Sequence, residues 1–216
     1  MNKQDLVKRY PVLYHMAERG SWPSIRERGL LSTTASLDRA EVTAAERVQL
    51  ESRRRPASIG IALQDGAALV LRDQKPMSDA RLEQCLLDGI TPKQWYEFIN
   101  QKTFFWATQG RLHTLLRAYG EHEHDVLTVD TASLVQAHQD HMWLCHMNSG
   151  NTTPWAHPRN YDIFKRIDAY PATLRGRPVK EVAEVVVDYA VPDIARHVTG
   201  VCRMRGTEVT VNVPYE

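Results

Sequence analysis

Cysteine is scarce and scattered in this chain: Cys85, Cys145 and Cys202 stand far apart with no paired spacing. That pattern excludes a disulfide framework and a zinc knuckle. An excess of one charge is also missing. Lys and Arg number 27 against 26 Asp and Glu, a net charge of +1, so no global electrostatic attraction draws the chain to nucleic acid. No apolar run reaches the length of a transmembrane helix. The opening Met1-Asn2-Lys3-Gln4-Asp5 carries no apolar signal core. A reducing, cytoplasmic setting is expected, with no membrane partner. Repeats, linkers and low-complexity tracts are absent too. With 43% hydrophobic residues in 216, the chain is long enough for one well-filled domain spanning 1–216.

Local charge and histidine are present. Arg53-Arg54-Arg55, Arg26 with Arg28, and Arg175, Arg177 and Lys180 are either solvated surface or phosphate contacts. Nine histidines include His122-Glu123-His124, and His138 with His141. Neither group has a clear third partner, so no metal is expected.

Periodicity and end signals predict the elements. Val12–Met16 reads as an apolar strand ending near His15, followed by a short helix with Ser21 as cap, Pro23 early and Gly29 as stop. Residues 36–51 read as one amphipathic helix ending in three arginines. Residues 58–63 and 68–71 flank Asp65-Gly66 as a hairpin. Helices follow at 79–87 and from Thr91-Pro92 to Asn100, then a strand 104–107 and a helix 109–119 with Leu112, Leu115 and Leu116 inward. Strand 125–130 precedes a helix capped by Thr131, and strand 142–146 leads to a loop at 148–151. The stretch 154–178 reads as a long surface segment. Strands 182–188, 199–204 and 208–213 close the chain, the last two joined by Arg205-Gly206. Many short strands without βαβ regularity argue α+β with mostly antiparallel sheet.

Three blocks, in order, carry a resemblance. Tyr14-His15, the short helix and Gly29-Leu30-Leu31-Ser32 resemble the opening of the ADP-ribosyltransferase superfamily. Thr103-Phe104-Phe105-Trp106-Ala107-Thr108-Gln109-Gly110-Arg111 looks like the aromatic strand and arginine of DarT-type toxins, which ADP-ribosylate DNA. Glu181-Val182-Ala183-Glu184-Val185-Val186-Val187, with Val191-Pro192, looks like their strand bearing the catalytic glutamate. The resemblance implies split antiparallel β-sheets with flanking helices and a cleft for NAD as co-substrate. It implies catalysis by Glu184 with Arg111, and cofactor contacts from Tyr14, His15, Ser32, Phe105 and Trp106. It further implies a nucleic-acid acceptor, a toxin or antiphage role and an antitoxin protein partner. At the second motif position the superfamily often carries serine or tyrosine, whereas this chain has an aromatic without a hydroxyl. RNA 2′-phosphotransferase activity, and a non-catalytic member binding nucleotide or a partner protein, are the alternatives.

The chemistry explains why a glutamate on a strand matters. Breaking the bond between nicotinamide and ribose develops an oxocarbenium-like sugar, which a rigidly held carboxylate stabilises. Alternation places Val182, Glu184 and Val186 on one strand face, and Glu181 off it is the competing carboxylate. Arg111 is either an exposed helix charge or a fork for the pyrophosphate. Of Phe105 and Trp106, alternation sends one to the core and leaves the other for nicotinamide. The loop from Asn148 to Thr152 is a candidate to approach the acceptor.

Overall fold

The computed structural model describes residues 1–215. Its elements are α1 (Lys3–Arg9), β1 (Val12–Glu18), α2 (Trp22–Arg28), β2 (Leu30–Leu31), α3 (Thr33–Leu37), α4 (Ala44–Glu51), β3 (Ile59–Ala62), β4 (Ala68–Leu71), α5 (Asp79–Cys85) and α6 (Pro92–Asn100). They continue with β5 (Lys102–Trp106), α7 (Gln109–Ala118), β6 (Glu123–Asp130), α8 (Thr131–His138), β7 (Met142–Cys145), β8 (Phe164–Lys165), β9 (Glu184–Asp188), β10 (Ala190–Val191), β11 (Val198–Arg205) and β12 (Glu208–Val213). The fold is α+β. Eight strands form an antiparallel sheet in the order β12-β11-β6-β1-β5-β9-β7-β8, and β10-β2 and β3-β4 make two small pairs.

One joint in this sheet is weak. β1 pairs with β6 along its whole length, and β5 pairs with β9 along its whole length. Between β1 and β5 only Tyr14 and Trp106 are in register. The expectation of split sheets is therefore corrected to one hydrogen-bonded sheet whose two four-stranded halves meet at a single residue pair.

Side-chain alternation explains how the halves are covered. On one face, Leu13, Phe105, Leu127, Leu144, Val185 and Val187 form a core continuous across the joint, closed by Leu6 and Tyr10 near α1 and by Leu134 and Val135 of α8. The opposite face is covered in two pieces. Leu112 and Leu116 of α7 pack on Met16, Val126 and Met204, and Trp95, Tyr96 and Ile99 of α6 pack with Cys145, Phe164 and Val186. A separate cluster, with Leu37 and Leu50 against Ile61, Leu63 and Leu71, seats the β3-β4 hairpin on α3 and α4.

Several local expectations change. Residues 36–51 form two helices because the chain returns to the hairpin between them: Ala40 bridges Leu63, and the Glu41 amide donates to the Ala62 carbonyl. A capping box of Thr43 with Glu46 then starts α4. Ser21 does not cap α2, since its hydroxyl donates to the Glu18 carbonyl. Asp130, not Thr131, caps α8, accepting from the Ser133 amide at 2.7 Å, while the Thr131 hydroxyl donates to the Tyr10 carbonyl. The last turn is Gly206-Thr207, one residue later than read. The 154–178 stretch is not all surface: Arg159, Ile163, Phe164, Ile167 and Tyr170 are buried.

Candidate functional site

The weak joint opens into a cleft. Past the Tyr14–Trp106 pair, β1 runs on toward Glu18 and β5 runs back toward Lys102, and the strands diverge. Residues 15–18 of β1 and 102–104 of β5 line the resulting wedge of about 510 Å³, within the size range of small-molecule sites. The α2–α3 segment, β4 with the residues that follow it, Arg55, the C-terminal ends of α6 and α7 and residues 148–150 add to its walls.

His15 sits at the vertex, mid-strand and not at a strand end as expected. Its Nδ1 lies 2.8 Å from the Phe104 carbonyl. A carbonyl only accepts, so Nδ1 carries the proton and bridges the two strands where the backbone ladder has stopped. Burial lowers the ring's pKa to about 4, with the Arg72 charge adding to the shift and the Phe104 hydrogen bond opposing it. The imidazole is therefore neutral, and its partly exposed edge on the cleft offers Nε2 as an acceptor.

Glu184 opens β9, held by Trp106 on one side and Cys145 on the other. Its side chain is 3% exposed and lines the cleft. The Ser149 amide donates to both carboxylate oxygens, at 3.3 and 3.2 Å. The Ser149 hydroxyl lies near enough to lower the carboxyl's pKa, but it completes no well-formed hydrogen bond. Burial nevertheless wins and raises the Glu184 pKa to about 7, against Ser149 and the charges of Arg111 and Arg159.

Arg159 fixes the loop that meets this carboxylate. It is 1% exposed and donates to the carbonyls of Ser149 (2.9 Å), Asn151 (2.8 Å) and His157 (3.1 Å). Sequence reasoning missed it, because an arginine in a Pro-rich polar stretch reads as surface. The 148–152 loop itself was foreseen by composition, and Asn148 to Gly150 do reach the cleft.

The remaining expected residues divide. Ser32 lines the cleft and accepts from the Ala35 amide at 3.1 Å as the cap of α3. Trp106 lines the cleft. Phe105 does not: it is fully buried in the continuous core, as alternation requires of its neighbour. Tyr14 packs beside Leu112 and Leu116 and is absent from the cleft lining. Arg111 is also outside it. α7 docks through Leu112 and Leu116, and that rotation leaves Arg111 half-buried, acting on Glu184 only through its charge. Glu181 is held away from the cleft by the Tyr10 hydroxyl, which donates to it at 2.5 Å. Val182 lies ahead of β9 and joins the cluster of Val185 and Val187, so it does not share Glu184's face.

Five cations line the cleft that the resemblance did not point to; Arg19, Arg28 and Lys102 are paired with carboxylates, and Arg55 and Arg72 make no salt bridge among the described residues. Arg55 is buried with no carboxylate partner among the described residues, its guanidinium donating to the Arg72 and Leu50 carbonyls, to Thr33 and to Asn100. Burial lowers its pKa to about 10, so it stays charged. Arg72 donates to the Met16 carbonyl at 3.1 Å and lies 4.7 Å over the Tyr119 ring, while its Nε is buried without a partner. Of the basic runs in the sequence, Arg53 is exposed, and Arg28 is tied to Asp65 and Glu27.

Residues 11–198 match the model of a family described as a family of unknown function (DUF7002), and the chain belongs to that family. No curated protein matches this chain. Among the described residues no helix is long and apolar enough to cross a membrane.

Proposed function

We propose that this chain is an NAD-dependent ADP-ribosyltransferase with an ADP-ribosyltransferase-like fold, transferring ADP-ribose to a macromolecule, with nucleic acid as the favoured acceptor. The observation that carries the reading is the buried Glu184 carboxylate lining a wedge that neutral His15 also lines. The ordered sequence blocks and the sheet divided at β1–β5 support it further.

In this reading NAD lies along the wedge. His15 Nε2 accepts from a ribose hydroxyl, and Trp106 stacks on nicotinamide. Arg55 and Arg72 supply positive charge for the pyrophosphate. The bond between ribose and nicotinamide breaks with its electron pair leaving on nicotinamide. Ionised Glu184 stabilises the cationic sugar until the acceptor's nucleophilic atom bonds to it and loses its proton. A carboxylate held by two strands and the Ser149 amide needs little reorganisation at that moment.

The test is incubation with NAD labelled in its adenylate part, offered separately with DNA, RNA and cell protein. Label retained in nucleic acid, with release of nicotinamide, is the expected result. Absence of both label and nicotinamide in every arm overturns the proposal. NAD binding without release would instead mark a non-catalytic nucleotide binder. Buried Arg55 and half-buried Arg72 also favour a second reading, an RNA 2′-phosphotransferase, since partly desolvated cations suit a phosphate-bearing acceptor. Loss of the phosphate from 2′-phosphorylated RNA, dependent on NAD, would select that reading.

A further inference from the structure

Away from the cleft, three side chains distant in sequence converge. His138 ends α8, and Asp193 and His197 flank the 3-10 turn at 194–196 before β11. One donor atom from each lies within 4.8 Å of the other two. His138 Nε2 is 2.6 Å from Asp193 Oδ1, and His197 Nε2 is 3.3 Å from Asp193 Oδ2.

The tautomer of His197 follows from its surroundings. The Ser133 hydroxyl is 3.3 Å from the Asp130 carbonyl, which only accepts, so Ser133 donates there. With Ser133 donating to Asp130, its Oγ presents lone pairs to His197 Nδ1 at 3.0 Å, an arrangement that suits the tautomer protonated at Nδ1. That leaves Nε2 with a lone pair directed among acceptors. It is buried, and it makes no well-formed hydrogen bond despite its nearness to Asp193. In that tautomer the Nε2 lone pair faces a carboxylate oxygen at 3.3 Å, a pair of donors that a bound cation would bridge.

We propose that His138, Asp193 and His197 bind a divalent first-row transition-metal ion, with zinc as its probe. Two imidazoles and one carboxylate are a common ligand set for such ions, and a fourth position is left for water. Bond lengths of about 2.0–2.1 Å to nitrogen and oxygen place tetrahedral ligand atoms about 3.3 Å apart. The His197–Asp193 pair already has that spacing. The His138–Asp193 hydrogen bond at 2.6 Å opens by less than about 1 Å to admit the ion. Ser133 is the outer partner that fixes the His197 ring, the arrangement usual for metal-ligating histidines. The ion would pin the end of α8 to a turn packed against α2, whose Ser24, Ile25 and Arg28 line the cleft. The sequence pattern pairs His138 with His141, but His141 is exposed and outside this group.

The test uses the full chain, stripped with a chelator and titrated with zinc against a chromophoric competitor under reducing conditions. One zinc per chain is expected to bind tightly enough to compete, and to raise the melting temperature. His138→Gln and His197→Gln should each abolish competition, and Ser133→Ala should weaken it about 10–100-fold. His141→Ala and Cys202→Ser should leave it intact. His138 is partly exposed, so its variant keeps the test decisive if His197→Gln fails to fold. No stoichiometric zinc on the wild-type chain overturns the proposal, as does affinity that survives both ligand variants.

Discussion

At the scale of single residues, Glu184 on the proposed reading sets function against stability. Its pKa is about 4.5 when solvated and about 7 in the fold. Between those values the folded chain keeps a proton that the unfolded chain releases, so stability falls as pH rises through this window. Above about pH 7 the whole penalty is present, on the order of 3 kcal/mol. Glu184→Gln should therefore melt higher than the wild type at pH 8, with the gain gone at pH 4; thermal melts at both values check it. On the proposed reading the same variant loses transfer by about 10²–10³ or more while NAD affinity stays within a few-fold, because the missing charge acts on the cationic transition state. Single-turnover rates and equilibrium binding separate the two effects. Wild-type transfer should rise with pH to a plateau above about 7, as Glu184 ionises. A full rate at pH 5 would show that ionised Glu184 is not required. Glu181→Gln, outside the cleft, should leave transfer unchanged. His15→Ala should weaken NAD binding by roughly 1–3 kcal/mol, because a ribose hydroxyl loses its acceptor. An unchanged affinity of the folded fraction would make His15 only the bridge between β1 and β5.

At the scale of elements, the cleft depends on two backbone arrangements that carry no chemistry themselves. The first is the turn from α2 into β2. Gly29 has φ +85°, and a Cβ there would lie 2.6 Å from the Pro192 Cα and 3.0 Å from the Pro192 and Val191 carbonyl oxygens. Only glycine lets β2 lie against β10, where Leu30 pairs with Val191 and Leu31 with Ala190. Gly29→Ala should cost about 2 kcal/mol or more through backbone strain and this clash, read from urea unfolding. The second is the loop over Glu184. Arg159→Met keeps much of the volume but removes the donors to three carbonyls, and should cost roughly 2–4 kcal/mol. It should also free the Ser149 amide from Glu184 and lower transfer, whereas a surface arginine would do neither.

For the whole molecule, the decisive feature is a sheet continuous on one face and divided on the other. The continuous core makes the halves one body, while the separate footings of α7 and α6 leave the β1–β5 wedge free for a ligand. A ligand in that wedge binds the folded chain and not the unfolded one, so NAD should raise the melting temperature progressively with its concentration. At about 100 times its dissociation constant the gain is near 2.7 kcal/mol. No shift at saturating NAD, where ATP produces one, would overturn NAD as the occupant.

Local sequence determined much of this architecture. The alternation of β6, the apolar runs of β5 and β9, the hairpin at Asp65-Gly66, the early prolines of α2 and α6 and the Thr91 cap of α6 are short-range signals, and the elements formed close to where these stand. Alternation alone separated the roles of Phe105 and Trp106 without saying which one faces the cleft. Tertiary structure made that choice by placing Phe105 in the core shared by both halves. It also placed Arg55, Arg72 and Arg159, whose charges read as surface until long-range carbonyl partners are known. It moved Arg111 and Tyr14 off the cleft, because the docking of α7 is decided by Leu112 and Leu116 and not by the residues beside them. The grouping of His138, Asp193 and His197 was invisible for the same reason: the residues lie as many as 59 positions apart, and only the packing of α8 beside the turn before β11 brings them together. Periodicity is a property of neighbours along the chain, whereas a site is a property of neighbours in space.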